Sequence, residues 1–316
     1  MHEGETQHAV SGKTILVTGA GGFIGTHLCG RLVRSGASVH GVSRSPRDSA
    51  DDNVRWWQGE LADIETARHL FRVIKPDLII HLASHVMGAP DIRNVLPTFH
   101  GNLQTTVNLL TAAAESGCQR LVLTGSLAEP EWSAGETFPS SPYAAAKWAS
   151  SAYGRMFHAL YQVPVVVARV FMVYGPAQRD LSKLIPYVSI SFLQEEAPKI
   201  SNGERLIDWI YVDDVVEGFV SLATAPRVEG RTVDLGSGKL VSIRDIVDRV
   251  QRIVGGSSRP LFGALPNRPL EPTRTANVAD TYARTGWKPG EALDTGLEKA
   301  VEWYRTHMRE LVGATT

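Results

Sequence analysis

The sequence predicts an α/β protein built on a doubly wound parallel sheet, with a smaller α/β domain formed mainly by the second half of the chain. Three observations predict it. The apolar run Ile15, Leu16, Val17 leads directly into Gly19, Gly22 and Gly25, the strand, tight turn and helix of a βαβ unit. Near-continuous apolar strands then alternate with helices as far as Val170, a pattern that covers both faces of a parallel sheet. Past Met172, prolines and glycines become frequent and the strands shorten, which marks a change of domain.

The polar N-terminus lacks the apolar core of a secretory signal and is expected to be mobile up to about Lys13. The first helix runs to about Ser35 and stops at Gly36, a residue suited to a helix C-cap. Strands follow over 38–43 and 54–58, then a helix over about 62–73 that ends before Pro76. The fourth strand is read over 77–83, a long helix over about 97–116 ending at Gly117, and the fifth strand over 120–126. Ser141 as N-cap and Pro142 in the first turn open the next helix, and 163–170 is the sixth strand. Regular elements return as a strand over 207–212, a helix after Asp213, a strand over 232–236, a helix over 243–254 and a terminal helix. The expected domains are 1–171, with segments returning near 207–235, and mainly 172–316. Ligands of parallel sheets bind at the carboxyl ends of the strands. Gly19, Ser43, Ala83 and Ser126 all fall there.

The 316-residue chain has a formal net charge of -1, a balance that argues against nucleic acid or an anionic membrane surface as its main partner. No apolar stretch approaches a membrane-spanning length, and a cytoplasmic location is expected. Cys29 and Cys118 lack CxxC spacing and read as buried free thiols of a reducing compartment. The histidines include no HExxH pair, so no metal is expected.

Tyr143 and Lys147 stand four residues apart, on one face of the helix that Pro142 opens. An unperturbed phenol titrates near ~10, too high to trade protons readily at neutral pH. A neighbouring ammonium favours phenolate and lowers that value, which makes Tyr143 a usable general acid or base. The same spacing also describes an ordinary solvated or packed pair; its place after a glycine turn and a parallel sheet favours chemistry. Ser126 ends the fifth strand, where its hydroxyl can steady a substrate oxygen; turn capping is the plainer reading. Thr124 is the alternative hydroxyl, placed within the strand.

The glycine turn, Ser126, Tyr143 and Lys147, in this order, resemble the extended short-chain dehydrogenase/reductase family and, within it, the nucleotide-sugar epimerases, dehydratases and reductases. The likeness continues through DLIIHLAS, GNLQTTVNLL with Asn102, RVFMVYGP, IYVDDVVEGF, RPLEP with Arg268, and TGWKP. It implies a Rossmann-type sheet, a catalytic Ser126, Tyr143 and Lys147, and hydride exchange with a nicotinamide ring. It also implies a sugar nucleotide held by the C-terminal domain and a homodimer formed through the helices near Pro97 and Pro142. For the cofactor it implies contacts from the turn (Gly19, Gly22, Phe23, Ile24, Gly25) and from the strand ends (Ser43, Arg44, Glu60, Leu61, Leu82, Ala83, Ser84). Asn102, Tyr143 and Lys147 complete that set. For the substrate it implies Ser126, Met172 and Arg268.

Relatives that prefer NAD usually end the second strand with an acid. Here the positions are Ser43 and Arg44, with Arg47 close by, and an arginine there can pair with a 2′-phosphate. NADP is therefore the expected cofactor, with NAD the alternative. The segment LTGSLAEP lacks the Asp-Glu pair of 4,6-dehydratases and is similar to the GSxAE pattern of 6-deoxy-4-ketohexose reductases, except for Pro130 and Glu131. The expected reaction is reduction of a nucleotide-linked 4-keto-6-deoxyhexose; the alternatives are a 4-epimerase or dehydratase with recycled NAD, and a non-catalytic cofactor-binding sensor or assembly protein. Glu129 reads as a surface-loop residue, or as an extra acid near the substrate. Met172 replaces a usual asparagine and Ile207 a usual arginine, so Arg205 or Arg179 is expected to take over phosphate binding.

Overall fold

The structure, a computed structural model, describes residues 9–47, 53–131, 137–267 and 270–313. Contacts divide the chain into two units, the first comprising Met1–Val170, Val216–Leu235 and Val278–Lys288, the second Phe171–Val215, Gly236–Asn277 and Pro289–Thr316.

In chain order the elements begin with β1 (Thr14–Thr18), α1 (Phe23–Arg34), β2 (Ser38–Ser43), β3 (Arg55–Gln58), α2 (Ile64–Ile74) and β4 (Leu78–His81). A 3-10 turn (Ile92–Asn94) and α3 (Val95–Thr98) run into a π-helical segment (Phe99–Gln104) and then α4 (Thr105–Ser116). β5 (Arg120–Ser126), α5 (Pro142–Tyr161), β6 (Val165–Val170) and β7 (Met172–Tyr174) follow. The rest are α6 (Leu184–Leu193), β8 (Lys199–Ile200), β9 (Leu206–Tyr211), α7 (Val212–Thr224), β10 (Thr232–Leu235) and β11 (Leu240–Ser242). The chain closes with α8 (Ile243–Val254), β12 (Leu261–Phe262), α9 (Val278–Thr285) and α10 (Leu293–Gly313).

The first unit is a seven-stranded sheet in the order β3-β2-β1-β4-β5-β6-β10, parallel throughout. Strand order reverses between β1 and β4, the place where such sheets bind ligands. The apolar strands are apolar because both their faces are covered: Ile15, Leu16, Val17, Ile79, Ile80, Leu121 and Val122 are wholly buried. Each such side chain contributes about 1.5–3 kcal/mol relative to exposure. One core packs Leu70 and Phe71 of α2 with Leu109 and Leu110 of α4 against Leu16, Ile79 and Leu121. Elsewhere in the unit Arg31 of α1 pairs with Glu217 of α7. The Asp63 side chain caps α2, accepting from Glu65 N at 3.1 Å.

Three expectations are corrected. Residues 9–13 are fixed rather than mobile: Val10 is wholly buried and Gly12 N donates to Gly36 O at 3.0 Å. Residues 1–8 lie outside the described residues. The helix read over 97–116 starts at Val95 and is interrupted by a π segment. The segment returning to the large sheet begins at Val216, since β9 pairs with β7 and β11 in the second unit. Of the two free thiols, Cys29 is buried and Cys118 half-buried.

The second unit holds a three-stranded sheet, β11-β9-β7, and the pair β12-β8. Asp208, buried in β9, ties its loops together by accepting from Ser237 N at 2.7 Å, Gly238 N at 2.9 Å and Ala276 N at 2.9 Å. Among the described residues, no helix is long and apolar enough to cross a membrane, and no group of His, Cys, Asp or Glu side chains is arranged to hold a metal ion.

Candidate functional site

The glycine turn leaves β1 through Gly19, which adopts a left-handed φ of 67°. A Cβ on Gly19 would lie 2.6 Å from Ala83 N, and one on Gly25 would lie 2.2 Å from Gly19 O. Only glycine lets the two strand ends and α1 approach this closely. Gly22 caps α1 without a side-chain hydrogen bond, so the first-turn N–H groups remain for an anion. Phe23 and Ile24 are half-buried in that first turn. This cradle fits a dinucleotide pyrophosphate.

The strand ends around it are held by a directional hydrogen-bond chain. Thr106 Oγ1 donates to Asn102 O at 2.7 Å, so it accepts from His81 Nε2 at 3.1 Å. His81 Nδ1 then accepts from Thr18 Oγ1 at 2.7 Å, and Thr18 Oγ1 accepts from Ala83 N at 3.2 Å. Burial and the charge of Lys147 push His81 down to about 3, which keeps it neutral. The side chain of Asn102 clamps the next residues: its Oδ1 accepts from Ser84 Oγ at 3.2 Å and His85 N at 2.6 Å, and its Nδ2 donates to His85 O at 3.2 Å. Asn102 lies in the π segment, a feature that often marks functional positions in helices.

At the far side of the cradle, Ser43 ends β2 and Arg44 is exposed. Arg47 folds over the turn, its Nη2 donating to Gly21 O at 3.3 Å with the guanidinium 5.1 Å from the Trp56 ring centre. Glu60 is exposed and accepts from Ala62 N at 3.2 Å. The side chain of Leu61 is buried in the core, while Leu82 is half-buried beside Ala83.

The chemistry-bearing side chains gather at the end of β5. Ser141 accepts from Ala144 N at 3.2 Å and caps α5, a contact worth about 1 kcal/mol. That start places Tyr143 and Lys147 one turn apart. Lys147 is 4% exposed, and its Nζ donates to Thr124 O at 2.9 Å, 5.9 Å from the Tyr143 ring centre. Thr124 Oγ1 donates to His81 O at 2.7 Å, which removes it as the alternative reacting hydroxyl. Ser126 Oγ accepts from Ala128 N at 3.1 Å and shares a hydrogen bond with the Tyr143 phenol.

Two expectations about this site are corrected. Tyr143 is pushed up to about 12, by burial first and by the charge of Glu129, with the Ser126 hydrogen bond acting the other way. The expected lowering by Lys147 is absent because burial dominates and the ammonium is itself pushed down to about 8. Glu129 is no surface residue: it is 3% exposed, and its Oε1 accepts from Ser126 N at 2.7 Å. It points behind the strand end. Its pKa is raised by burial, against hydrogen bonds from Ser126 and Ser151 and the charges of Arg169 and Lys147.

Apart from Ser126, the expected substrate residues fall in the second unit. Met172 is half-buried on β7, in register with Trp209. Arg179 is exposed. Arg205 is paired with Glu271, so a phosphate there competes with a carboxylate. Arg268 lies outside the described residues.

Residues 15–236 match the model of a family described as the NAD dependent epimerase/dehydratase family. A UDP-glucose 4-epimerase of Mycolicibacterium smegmatis is 31% identical over 92% of this chain and 98% of its own. Among solved structures, a UDP-glucuronic acid 4-epimerase from Bacillus cereus, in complex with UDP-glucuronic acid and NAD, superposes with a TM-score of 0.81 at 25% identity, over 92% of this chain and 99% of that one. An epimerase from Methanothermobacter thermautotrophicus reaches a TM-score of 0.88 at 23% identity, over 98% of this chain and 97% of that one, and shares the fold.

Proposed function

Since the chain belongs to the NAD dependent epimerase/dehydratase family, within the extended short-chain dehydrogenase/reductases, we propose that it is a nucleotide-sugar 4-epimerase. The observation that carries the chemistry is the meeting of Ser126, Tyr143 and Lys147 at the carboxyl end of β5. The direction of the reaction is supported by the relatives: the M. smegmatis protein is a UDP-glucose 4-epimerase and the B. cereus protein a UDP-glucuronic acid 4-epimerase. None of the relatives compared above is a ketoreductase, so the expected reduction of a 4-keto-6-deoxyhexose gives way to this reading. The non-catalytic alternative falls with membership of an enzyme family.

Hydride exchange at the sugar's C4 is the chemistry that a bound nicotinamide would supply. The glycine turn and the α1 N-terminus would hold its pyrophosphate. Tyr143 takes the proton from the sugar's 4-hydroxyl and gives it back. Ser126 orients that oxygen and steadies its changing charge. Lys147, tethered to Thr124 O, keeps a positive charge beside both. Burial opposes the first half of the role of Tyr143: a phenol held at about 12 is protonated at rest, so Tyr143 must release its own proton to solvent before it can take one from the sugar, a loss that the positive charges of Lys147 and of an oxidised nicotinamide would favour.

A second reading, a reductase using NADPH, is favoured by one observation: Ser43, Arg44 and Arg47 put no acid and two arginines beside the turn. Two parallel incubations separate the two readings: the chain and NAD with UDP-galactose, UDP-glucuronate or their 4-epimers, and the chain and NADPH with a nucleotide-linked 4-keto-6-deoxyhexose. Interconversion without net cofactor turnover supports the epimerase; stoichiometric oxidation of NADPH by a keto sugar supports the reductase.

The expected homodimer is proposed on exposed apolar side chains along the 92–99 segment: Ile92 at 81%, Leu96 at 64% and Phe99 at 47% exposure. Leu96→Arg, examined by light scattering, yields monomers on this reading; an unchanged mass removes it.

A further inference from the structure

We propose that Glu129 is a positioning residue, an acid buried behind the end of β5 that fixes the Ser126 backbone and supplies the negative charge balancing Lys147. Its meaning for turnover rests on the reading given above; its structural content does not.

Glu129 and Ser126 are tied in both directions. Glu129 Oε1 accepts from Ser126 N at 2.7 Å, and Ser126 O accepts from Glu129 N at 3.1 Å. The carboxyl sits in space that residue 125 leaves empty: a Cβ on Gly125 would lie 2.6 Å from Glu129 Oε1 and 2.9 Å from Val167 Cγ1. Gly125 is in register with Arg169 on β6, and Arg169 with Asp234 on β10. Neighbouring positions of a parallel sheet share a face. The Glu129 carboxyl therefore stands in for the missing side chain of a cross-strand row that reads carboxyl, guanidinium, carboxyl. Arg169 Nη1 meets Asp234 Oδ1 at 3.1 Å, and Ser151 of α5 supplies Glu129 with a second hydrogen bond.

The groups that face Glu129 are Tyr143, Lys147 and Ser151 on α5 and Arg169 on β6, with Asp234 on β10 beyond Arg169. His81 on β4, next to Lys147, is neutral. Lys147 and Arg169 are thus matched by Glu129 and Asp234. Buried charges persist only when compensated. Removal of the Glu129 charge leaves this set one positive charge in excess, and Lys147 is the cation that can discharge, because an arginine keeps its proton. Glu129 acts on Lys147 and Tyr143 in the same sense, favouring the protonated form of each.

The test is the titration of Lys147 in the ligand-free protein, read by NMR of 13C-labelled lysine side chains and assigned with Lys147→Met. Glu129→Gln keeps the shape and an acceptor for Ser126 N but removes the charge. The expected result is a Lys147 midpoint displaced to lower pH in folded E129Q, with kcat/KM at neutral pH reduced roughly ten- to a hundredfold. Glu129→Asp keeps the charge and shortens the reach; Lys147 then titrates as in the parent protein. An unmoved midpoint in folded E129Q overturns the proposal. Should E129Q not fold, the charge-removing Glu129→Met is titrated in its place, where a midpoint displaced to lower pH supports the proposal and an unmoved one overturns it. The titration needs no substrate. A displaced midpoint in a protein that turns over no nucleotide sugar refutes the epimerase reading alone, and turnover with an unmoved midpoint refutes the role of Glu129 alone.

Discussion

Lys147 Nζ donates its hydrogen bond to the carbonyl of Thr124, 2.9 Å away, so the lysine is anchored to β5 and not to the tyrosine one helical turn before it. The anchor fixes α5 against the strand that ends in Ser126. Burial, meanwhile, leaves Tyr143 a protonated phenol before any ligand enters. The site is therefore a stored acid whose release depends on what binds beside it, and its residues have separable effects.

Tyr143→Phe removes the proton-transferring group and keeps the ring. Turnover is expected to fall by roughly 10²–10⁴-fold, with NAD binding by titration calorimetry preserved. Ser126→Ala removes a donor to the reacting oxygen and is expected to cost a comparable ~10²-fold in kcat. Parent-like rates in either variant contradict the assigned roles.

The charge on Lys147 sets an alkaline limit. Burial holds this group at about 8, so it is charged below that pH and neutral above it. The profile of kcat/KM, which reports the free enzyme, is expected to fall as pH rises through about 8. A profile flat to pH ~10, near the unperturbed value of a lysine, refutes a need for the ammonium.

His81 links pH to stability. Its folded value is lowered to about 3 by burial, while the unfolded chain protonates near ~6.5. The unfolded state therefore binds more protons between those values, and stability is complete above ~6.5 and lost as pH falls towards 3. Urea unfolding at pH ~7.5 and ~5 is expected to show a loss of about 2 kcal/mol from this group. His81→Asn, less stable at both pH values, lacks that part of the difference.

Gly19→Ala tests the cradle. The added methyl meets Ala83 N at 2.6 Å, at a φ of 67°, and the backbone on both sides cannot yield cheaply. A stability loss greater than about 1 kcal/mol, with weakened NAD binding, is the expected outcome in thermal unfolding and calorimetry. An unperturbed variant shows that the turn is looser than described.

The large sheet was legible because its strands are apolar along their whole length, a direct consequence of burial on both faces. Ser126, Tyr143 and Lys147 were legible from type and spacing. Their electrostatics were not: the four-residue spacing of Tyr143 and Lys147 shows proximity but not the burial that outweighs it. Glu129 escaped notice as a buried group because an acid followed directly by Pro130 and Glu131 reads as solvated loop, and its countercharge, Arg169, lies on the next strand. The π segment around Asn102 carries no compositional signal, and the side-chain clamp of Asn102 on Ser84 and His85 joins residues 17 and 18 positions apart in the chain. Thr18, His81 and Thr106 lie on three separate elements, so the hydrogen-bond chain that joins them exists only once those elements pack together.

The most direct measurement counts sugars converted per cofactor. Purified chain carrying NAD is mixed with excess UDP-galactose or UDP-glucuronate, with the 4-epimer followed by proton NMR and the nicotinamide by absorbance. Many epimerised sugars for each cofactor, no net NADH, and collapse of conversion in Tyr143→Phe are expected. One cofactor consumed for each sugar converted, or conversion undiminished in that variant, would contradict the proposed mechanism.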